Sequence, residues 1–332
     1  MPRIGVIGLG AVGKIHVANV IAHGEAELSA ICDSRREAVK AISEKTGARP
    51  TSHVAELLDA RPDAVIISSS TSCHGEVVGE CVKAGVPFLC EKPLAQDVRT
   101  AEDIAAAVKA NGLVAATALN RRFHPQYSAM RDAALAGEIG QCELLCFTSR
   151  STAPPTVEFS RTSGGLFAEK GSHFYDLARW ISGEEPEELT AMGAVLVDPG
   201  FKDIGESDTA IVSMRMRNGA LCRFDFSWRA AYGQDERIEI HGSHGLLTSY
   251  QDPVGTIVHA LGRSVRTGTR LATWQERFAE SYKAELDAFL SVLVSGREHS
   301  VLATLNDGLM AQRIGEAART SVSNRAPSKI NS

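Results

Sequence analysis

Three side chains able to move a proton stand within the stretch Gly164-Gly165-Leu166-Phe167-Ala168-Glu169-Lys170-Gly171-Ser172-His173-Phe174-Tyr175-Asp176. The spacing predicts a helix from about Glu169, on which residues 169, 173 and 176 share one face. Glu, His and Asp aligned in that way form a candidate acid–base set. The same pattern on a surface helix would amount to a Glu169–His173 pair adding a few tenths of a kcal/mol, and spacing alone does not separate the two. Leu177, Trp180 and Ile181 continue the apolar pattern into a core.

A second chemical feature is Glu91-Lys92-Pro93, which closes an expected apolar strand over residues 87–90. A lysine at a buried strand end is unfavourable without a partner or a task. Pro93 bars Lys92 from αR geometry, which would hold the lysine in one direction. The alternative is a surface Glu91–Lys92 ion pair worth about 0–1 kcal/mol.

The elements that must position these groups begin at residue 3. Arg3 to Ile7 read as a buried strand, followed by Gly8, Gly10 and Gly13 and then an apolar helical pattern (Ile15, Ala18, Val20, Ile21). A strand running into G-x-G-x-x-G and a helix is the context in which the motif cradles a pyrophosphate. Gly8 allows the tight turn, Gly10 lets the backbone approach the phosphates, and Gly13 lets the helix sit close to the strand. The helix start offers N–H groups and a positive dipole end. A second strand over residues 27–32 ends at Asp33, 20 positions after Gly13, where a carboxylate accepts hydrogen bonds from ribose hydroxyls. Asp33 would repel a 2′-phosphate, which favours NAD; Ser34, Arg35 and Arg36 keep NADP possible.

Helices are expected over residues 36–45, 54–58 and from His74, and from a Thr100 cap to residue 110. Further strands are expected over 63–67 and 114–119. Their continuous apolar character suits a parallel sheet covered on both faces. The run Ser68-Ser69-Ser70-Thr71-Ser72 falls at a C-terminal strand end, where α/β sheets bind ligands, so contact with the cofactor is expected there. From residue 141 the pattern changes to successive strands (142–148, 191–197, 209–215, 220–227, 237–241) with turns such as Asn218-Gly219. The fold expected is an N-terminal doubly wound Rossmann sheet over residues 1–121. An α+β domain with an open, mostly antiparallel sheet follows over 122–332. Residues 254–270 read as a loop or edge region, helices run over about 275–294 and 302–320, and the tail from Ser321 reads as frayed.

The chain has 332 residues, 44% of them hydrophobic and 23% charged, and a net charge of −5, which suits two globular domains and argues against a nucleic-acid partner. No apolar run approaches the roughly 18 residues of a membrane span, and the early first strand leaves no room for a signal peptide. The seven cysteines show no C-x-x-C spacing, so reduced thiols, a cytoplasmic setting and no metal are expected.

Gly8-Leu9-Gly10-Ala11-Val12-Gly13 together with Glu91-Lys92-Pro93 resembles the Gfo/Idh/MocA group, named for glucose–fructose oxidoreductase and inositol dehydrogenase. Asn120-Arg121-Arg122-Phe123-x-Pro125, the stretch from Arg150 to Pro155, the stretch from Val195 to Pro199 and the stretch from Tyr232 to Arg237 are similar to the inositol dehydrogenase branch. The chain departs from that branch at His124 and Glu169, where the branch usually has Asp. The resemblance implies a catalytic group of Lys92, Glu169 and His173 acting on a ring secondary alcohol of a cyclitol or related sugar. In it His173 would take the hydroxyl proton, with an ordinary pKa of about 6.5. Lys92 would stabilise developing alkoxide charge, and Glu169 would orient His173 or bind a neighbouring hydroxyl.

The expected cofactor set is Gly8, Gly10, Ala11, Val12, Gly13, Asp33, Ser34, Arg35, Ser70, Thr71, His74, Glu91, Lys92 and Asn120. The expected substrate set is Lys92, Asn120, Arg150, Glu169, His173, Asp176 and Tyr232. The resemblance also implies a homotetramer paired through open sheets, with the last helix packed back on the Rossmann domain. Two alternatives carry the same fold: a glycosidase that keeps NAD bound, and a redox-silent sensor of dinucleotide and sugar.

Overall fold

A computed structural model describes residues 1–250 and 273–331, and between them only four short strands. The chain divides into two compact units: residues 1–123, 162–164 and 280–316, and residues 124–161, 165–279 and 317–332. Among the described residues no helix is long and apolar enough to cross a membrane.

The first unit alternates strand and helix: β1 (Arg3–Ile7), α1 (Ala11–Ala22), β2 (Glu27–Cys32), α2 (Arg36–Thr46), β3 (Arg49–Thr51), α3 (Val54–Leu58), β4 (Ala64–Ile67), α4 (His74–Ala84), β5 (Phe88–Glu91), α5 (Val98–Asn111) and β6 (Ala115–Ala118). The strands form one parallel sheet in the order β3-β2-β1-β4-β5-β6, the doubly wound arrangement whose order reverses at β1 and β4. All of β4 is 0% exposed, as a strand covered on both faces must be. The short edge strand β3 is not assigned from the sequence, because Arg49-Pro50-Thr51 carries no apolar pattern. Asp97, rather than Thr100, caps α5: its carboxylate accepts the Thr100 N–H at 2.8 Å, and helix begins at Val98.

The second unit holds α6 (Pro125–Leu135), β7 (Cys142–Arg150), α7 (Val157–Ser163, whose last two residues belong to the first unit), α8 (Gly171–Ser182), β8 (Pro186–Ala194), α9 (Gly200–Asp203), β9 (Thr209–Met216), β10 (Leu221–Ser227), β11 (Asp235–Gly242) and β12 (Gly245–Ser249). The four short strands are β13 (Pro253–Val254), β14 (His259–Leu261), β15 (Ser264–Arg266) and β16 (Thr269–Arg270), paired antiparallel as β13 with β16 and β14 with β15. These four fall in the stretch expected as a loop or edge region over 254–270, the rest of which lies outside the described residues. The chain ends in α10 (Trp274–Ser295), α11 (Leu305–Asn324) and β17 (Ser328–Lys329). The large sheet runs β12-β11-β7-β10-β9-β8-β17, and every pairing is antiparallel except β7 with β10. Alternation in β9 buries Ala210, Val212, Met214 and Met216 on one face. On that face Phe147 stacks on Phe224 at 5.0 Å, and α8 lays Phe174 and Tyr175 against them.

Two expected boundaries shift for local reasons. β8 ends at Ala194 and not at Val197, because the N–H groups of Leu196, Val197 and Asp198 turn to the buried Asp208 carboxylate. α11 starts at Leu305, where Thr304 and Asp307 exchange capping hydrogen bonds. The tail is ordered by pairing rather than frayed. Ser321 Oγ accepts the Ala191 N–H at 2.9 Å and donates to the Ala326 carbonyl, and β17 adds an edge to β8.

Within the first unit, Leu286, Phe289 and Leu290 of α10 pack into the core of β1, β2 and β4, while Leu305 and Leu309 of α11 join the core on the other side of the sheet. Phe289 is 0% exposed, so Phe289→Ala should lower the unfolding free energy by about 3–5 kcal/mol, measured as the shift of a urea transition.

Candidate active site

In the first unit the turn after β1 is shaped by what cannot fit there. Gly8 has φ +91°, and a Cβ on it would lie 2.4 Å from the Ser68 backbone. A Cβ on Gly13 would lie 1.9 Å from the Gly8 carbonyl oxygen. Around Gly10 nothing lies within 4 Å of that position, so this face of the turn is open. Gly10 stands at the N-cap of α1 without a side-chain cap, so Ala11, Val12 and Gly13 can present helix-start N–H groups to an anion. Ser68 Oγ donates to the Ile7 and Gly8 carbonyls and ties the end of β4 to this turn.

Asp33, just past β2, accepts the Leu9 N–H at 2.7 Å and the Arg35 N–H at 2.8 Å. The Arg35 guanidinium closes on both carboxylate oxygens, at 3.0 and 2.9 Å. Burial alone would raise the Asp33 pKa, but these hydrogen bonds and the Arg35 charge outweigh it and lower it to about 2. A charged carboxylate beside an open phosphate cradle fits the ribose and pyrophosphate of NAD. Ser34 and Arg35 are exposed beside it.

On the same sheet edge, Ser70 is exposed and Thr71 half-buried in a single 3-10 turn that leads into α4. His74 is buried, and its ring nitrogens lie 3.2 Å from the Ser69 carbonyl and 3.1 Å from the Pro93 carbonyl. Burial lowers its pKa in spite of both carbonyls, and the ring sits between the serine loop and the turn after β5. Glu91 is buried, with Oε1 2.8 Å from His16 Nε2 and Oε2 accepting the Lys92 N–H at 3.2 Å. Lys92, half-buried, therefore leaves β5 from a fixed base, and the Lys92–Pro93 peptide is cis. Asn120 is buried after β6, and its Oδ1 accepts from Arg121 at 3.0 Å.

In the second unit the expected helix from Glu169 is instead a π turn over Leu166–Lys170 that runs into α8 at Gly171. The wider π geometry means that ordinary i, i+4 spacing does not relate Glu169 to His173; regular helical spacing holds only within α8, where His173 and Asp176 stand at i, i+3. Gly171 permits this entry, since a Cβ there would strike the Tyr175 ring at 2.5 Å. Glu169 is half-buried, while His173 and Asp176 are 6% and 1% exposed.

Arg150 and Tyr232 share a polar network. Along β7, Phe147 and Ser149 face α8, so Arg150 at the strand end lies on the opposite face of the sheet. There it pairs with Asp225, its Nη1 donates to Tyr232 Oη at 3.0 Å, and that hydroxyl donates to Asp235 at 2.8 Å.

Two side chains at these sites are not singled out by residue spacing. Lys170 is buried, with Nζ 2.6 Å from Ser151 Oγ, 3.3 Å from Ser149 Oγ and 4.3 Å from the Trp228 ring centre. Its neighbours Glu169, Ser172 and His173 are polar, so no local pattern marks it. His16 is 0% exposed, and its place three residues beyond Gly13, on the inner face of α1, was the signal for it.

An order-reversing parallel sheet with an open glycine turn at its switch point defines the first unit as the dinucleotide-binding domain of an NAD-dependent oxidoreductase. The family model described as "Oxidoreductase family, NAD-binding Rossmann fold" matches residues 2–119, and "Oxidoreductase family, C-terminal alpha/beta domain" matches residues 135–330. The chain belongs to the Gfo/Idh/MocA oxidoreductase family. It is 38% identical over 330 residues to the myo-inositol 2-dehydrogenase of Thermotoga maritima, covering 99% of this chain and 98% of that protein. It is 33% identical to the inositol 2-dehydrogenase of Rhizobium meliloti, covering 97% of each. The crystal structure of a myo-inositol dehydrogenase from Corynebacterium glutamicum matches with a TM-score of 0.92 at 29% identity, covering 100% of this chain and 99% of that one.

With Asp33 expected to accept from the ribose, Asp33→Ala should weaken NAD binding by about 1.5–3 kcal/mol, read by calorimetric titration. The same variant releases Arg35, so NADP should gain relative to NAD.

Proposed function

We propose that the protein oxidises a ring hydroxyl of an inositol-like cyclitol to the ketone with NAD, and that Lys92, His173 and Glu169 act on that carbinol. NAD, held by the glycine turn and Asp33, would supply the acceptor for the C–H hydrogen as hydride. His173 takes the O–H proton through whichever ring nitrogen meets the hydroxyl, since a neutral imidazole is available at physiological pH. Lys92 donates to the same oxygen and stabilises its negative charge as the C–H bond breaks. Glu169 orients His173 or holds a neighbouring hydroxyl, and Asp176 accepts from the polyol. The atoms balance: secondary alcohol and NAD give ketone, NADH and one proton.

The observation that carries this reading is Lys92 itself. It is fixed through Glu91 at the end of β5, on the sheet edge that carries the glycine turn, in a chain similar to inositol dehydrogenases along its whole length. Those relatives are named as dehydrogenases, which favours net oxidation over the glycosidase and the sensor. A polyol panel including myo-inositol, scyllo-inositol and glucose, run with NAD and NADP separately, tests it. NADH should accumulate in proportion to ketone, whereas hydrolysis without NADH would overturn it.

The uncovered sheet face supports a homo-oligomer, which we take as a tetramer, in a cytoplasmic setting. Leu144, Met192, Ile211 and Leu221 lie on that face, with exposures of 40–76%. Isolated exposed apolar residues are ordinary, but a group of them on one sheet face marks an interaction surface. Ile211→Glu should therefore give a smaller species by light scattering.

His173→Ala should lower kcat by about 10² to 10⁴, or roughly 3–5 kcal/mol of transition-state stabilisation, in steady-state assays at saturating polyol and NAD. A loss under about threefold would remove His173 from the base role.

A further inference from the structure

The ends of β7 and β10 carry a group of polar side chains that the acid–base set does not use. These two strands are parallel and finish side by side, and the Ser151 N–H donates to the Ser227 carbonyl at 3.0 Å. Lys170, the last residue of the π turn and 6% exposed, reaches both ends. Its ammonium donates to Ser151 Oγ at 2.6 Å and to Ser149 Oγ at 3.3 Å, and lies 4.3 Å from the centre of the Trp228 ring. Lys170 follows Glu169 directly and stands three residues before His173, so this place adjoins the acid–base set.

An ammonium only donates, so in the short, charge-assisted bond to Lys170 the Ser151 oxygen must accept. The hydroxyl hydrogen of Ser151 therefore turns to another group, and among the described residues it meets no acceptor. Ser151 is half-buried, so that hydrogen is within reach of a ligand. Trp228 is 8% exposed, and its buried Nε1–H also has no partner among the described residues. A buried indole N–H normally finds an acceptor. Two donors without acceptors thus stand against one ammonium. Negative charge is already supplied around this turn. Glu169 and Asp176 lie on either side of Lys170 in the chain, and Glu236, 2% exposed, is the cross-strand neighbour of Ser149 and accepts from Gln234 at 2.9 Å. The acceptor that fits is therefore an uncharged oxygen, such as a hydroxyl, and not a further anion.

We propose that the Ser151 hydroxyl and the Trp228 N–H donate together to one hydroxyl oxygen of the polyol, other than the oxygen being oxidised, and so select among polyols. Lys170 is the positioning residue that turns the Ser151 hydroxyl into an obligate donor. This rests on the reading of a polyol as the substrate.

The test uses the full chain with NAD, the best polyol of the panel and its mono-deoxy analogues, each lacking one hydroxyl. Trp228→Phe keeps an aromatic ring under the ammonium and removes the N–H. KM for the parent polyol should rise roughly threefold to tenfold, while kcat and KM for NAD stay nearly constant. Ser151→Ala should do the same. Lys170→Met should match Ser151→Ala and add nothing to it in the double variant, because both remove the same oriented hydroxyl. For one deoxy analogue, the one without the contacted oxygen, wild type and the variants should share the same KM. A loss of packing alone would not depend on which hydroxyl is missing. An equal rise in KM for every analogue, or an unchanged KM in Trp228→Phe or Ser151→Ala, would overturn the proposal.

Should one of these two variants fail to fold, the other carries the same comparison. If wild type forms no NADH with any polyol, the dehydrogenase reading fails, and calorimetric titration with myo-inositol in the presence of NAD judges this site by itself. Wild type should then bind roughly threefold to tenfold more tightly than Trp228→Phe and Ser151→Ala. Equal affinity, or no binding by any of the three, would overturn the proposal.

Discussion

The first unit depends on how closely the start of α1 approaches the end of β1. No side chain fits between Gly13 and the Gly8 carbonyl, so the helix sits directly on the turn. That closeness has two effects. It leaves the N–H groups of the first helical turn facing the open side of Gly10, an arrangement suited to an anion. One turn further on, it brings His16 into the interior against Glu91, which governs where Lys92 leaves the sheet. The open helix start and the anchored base of Lys92 are thus two results of one backbone contact.

Two carboxyl groups in this unit are shifted in opposite directions for reasons visible in their surroundings. Asp33 is surrounded by N–H groups and a guanidinium, which hold its carboxyl below the usual range. Glu285 has no hydrogen-bond partner among the described residues, and burial pushes its carboxyl above that range. His74 shows a third case, a buried imidazole whose pKa burial lowers although it lies between two carbonyls.

The large sheet of the second unit has two chemically distinct faces because side chains alternate along each strand. One face packs its phenylalanines under α8 and offers Ser149 to Lys170. The other combines exposed Ile211 and Met192 with the Arg150–Asp225–Tyr232–Asp235 network. A single strand, β7, serves both: Ser149 toward the helix and Arg150 away from it.

Much of this was legible in the residues alone. The glycine turn, Asp33, the continuous apolar strands and Glu91-Lys92-Pro93 are local signals, set by steric limits on the backbone and by charge at strand ends, and they led to the dinucleotide domain. Composition and spacing could not show that residues 166–170 form a π turn, since i, i+5 bonding depends on packing around Gly171 and Tyr175. Nor could they pair His16 with Glu91, 75 positions apart. Only the folded chain decided which face of β7 carries Arg150, and whether each carboxyl is charged. Charge state follows from the donors and burial that other segments supply, and sequence neighbours do not specify them.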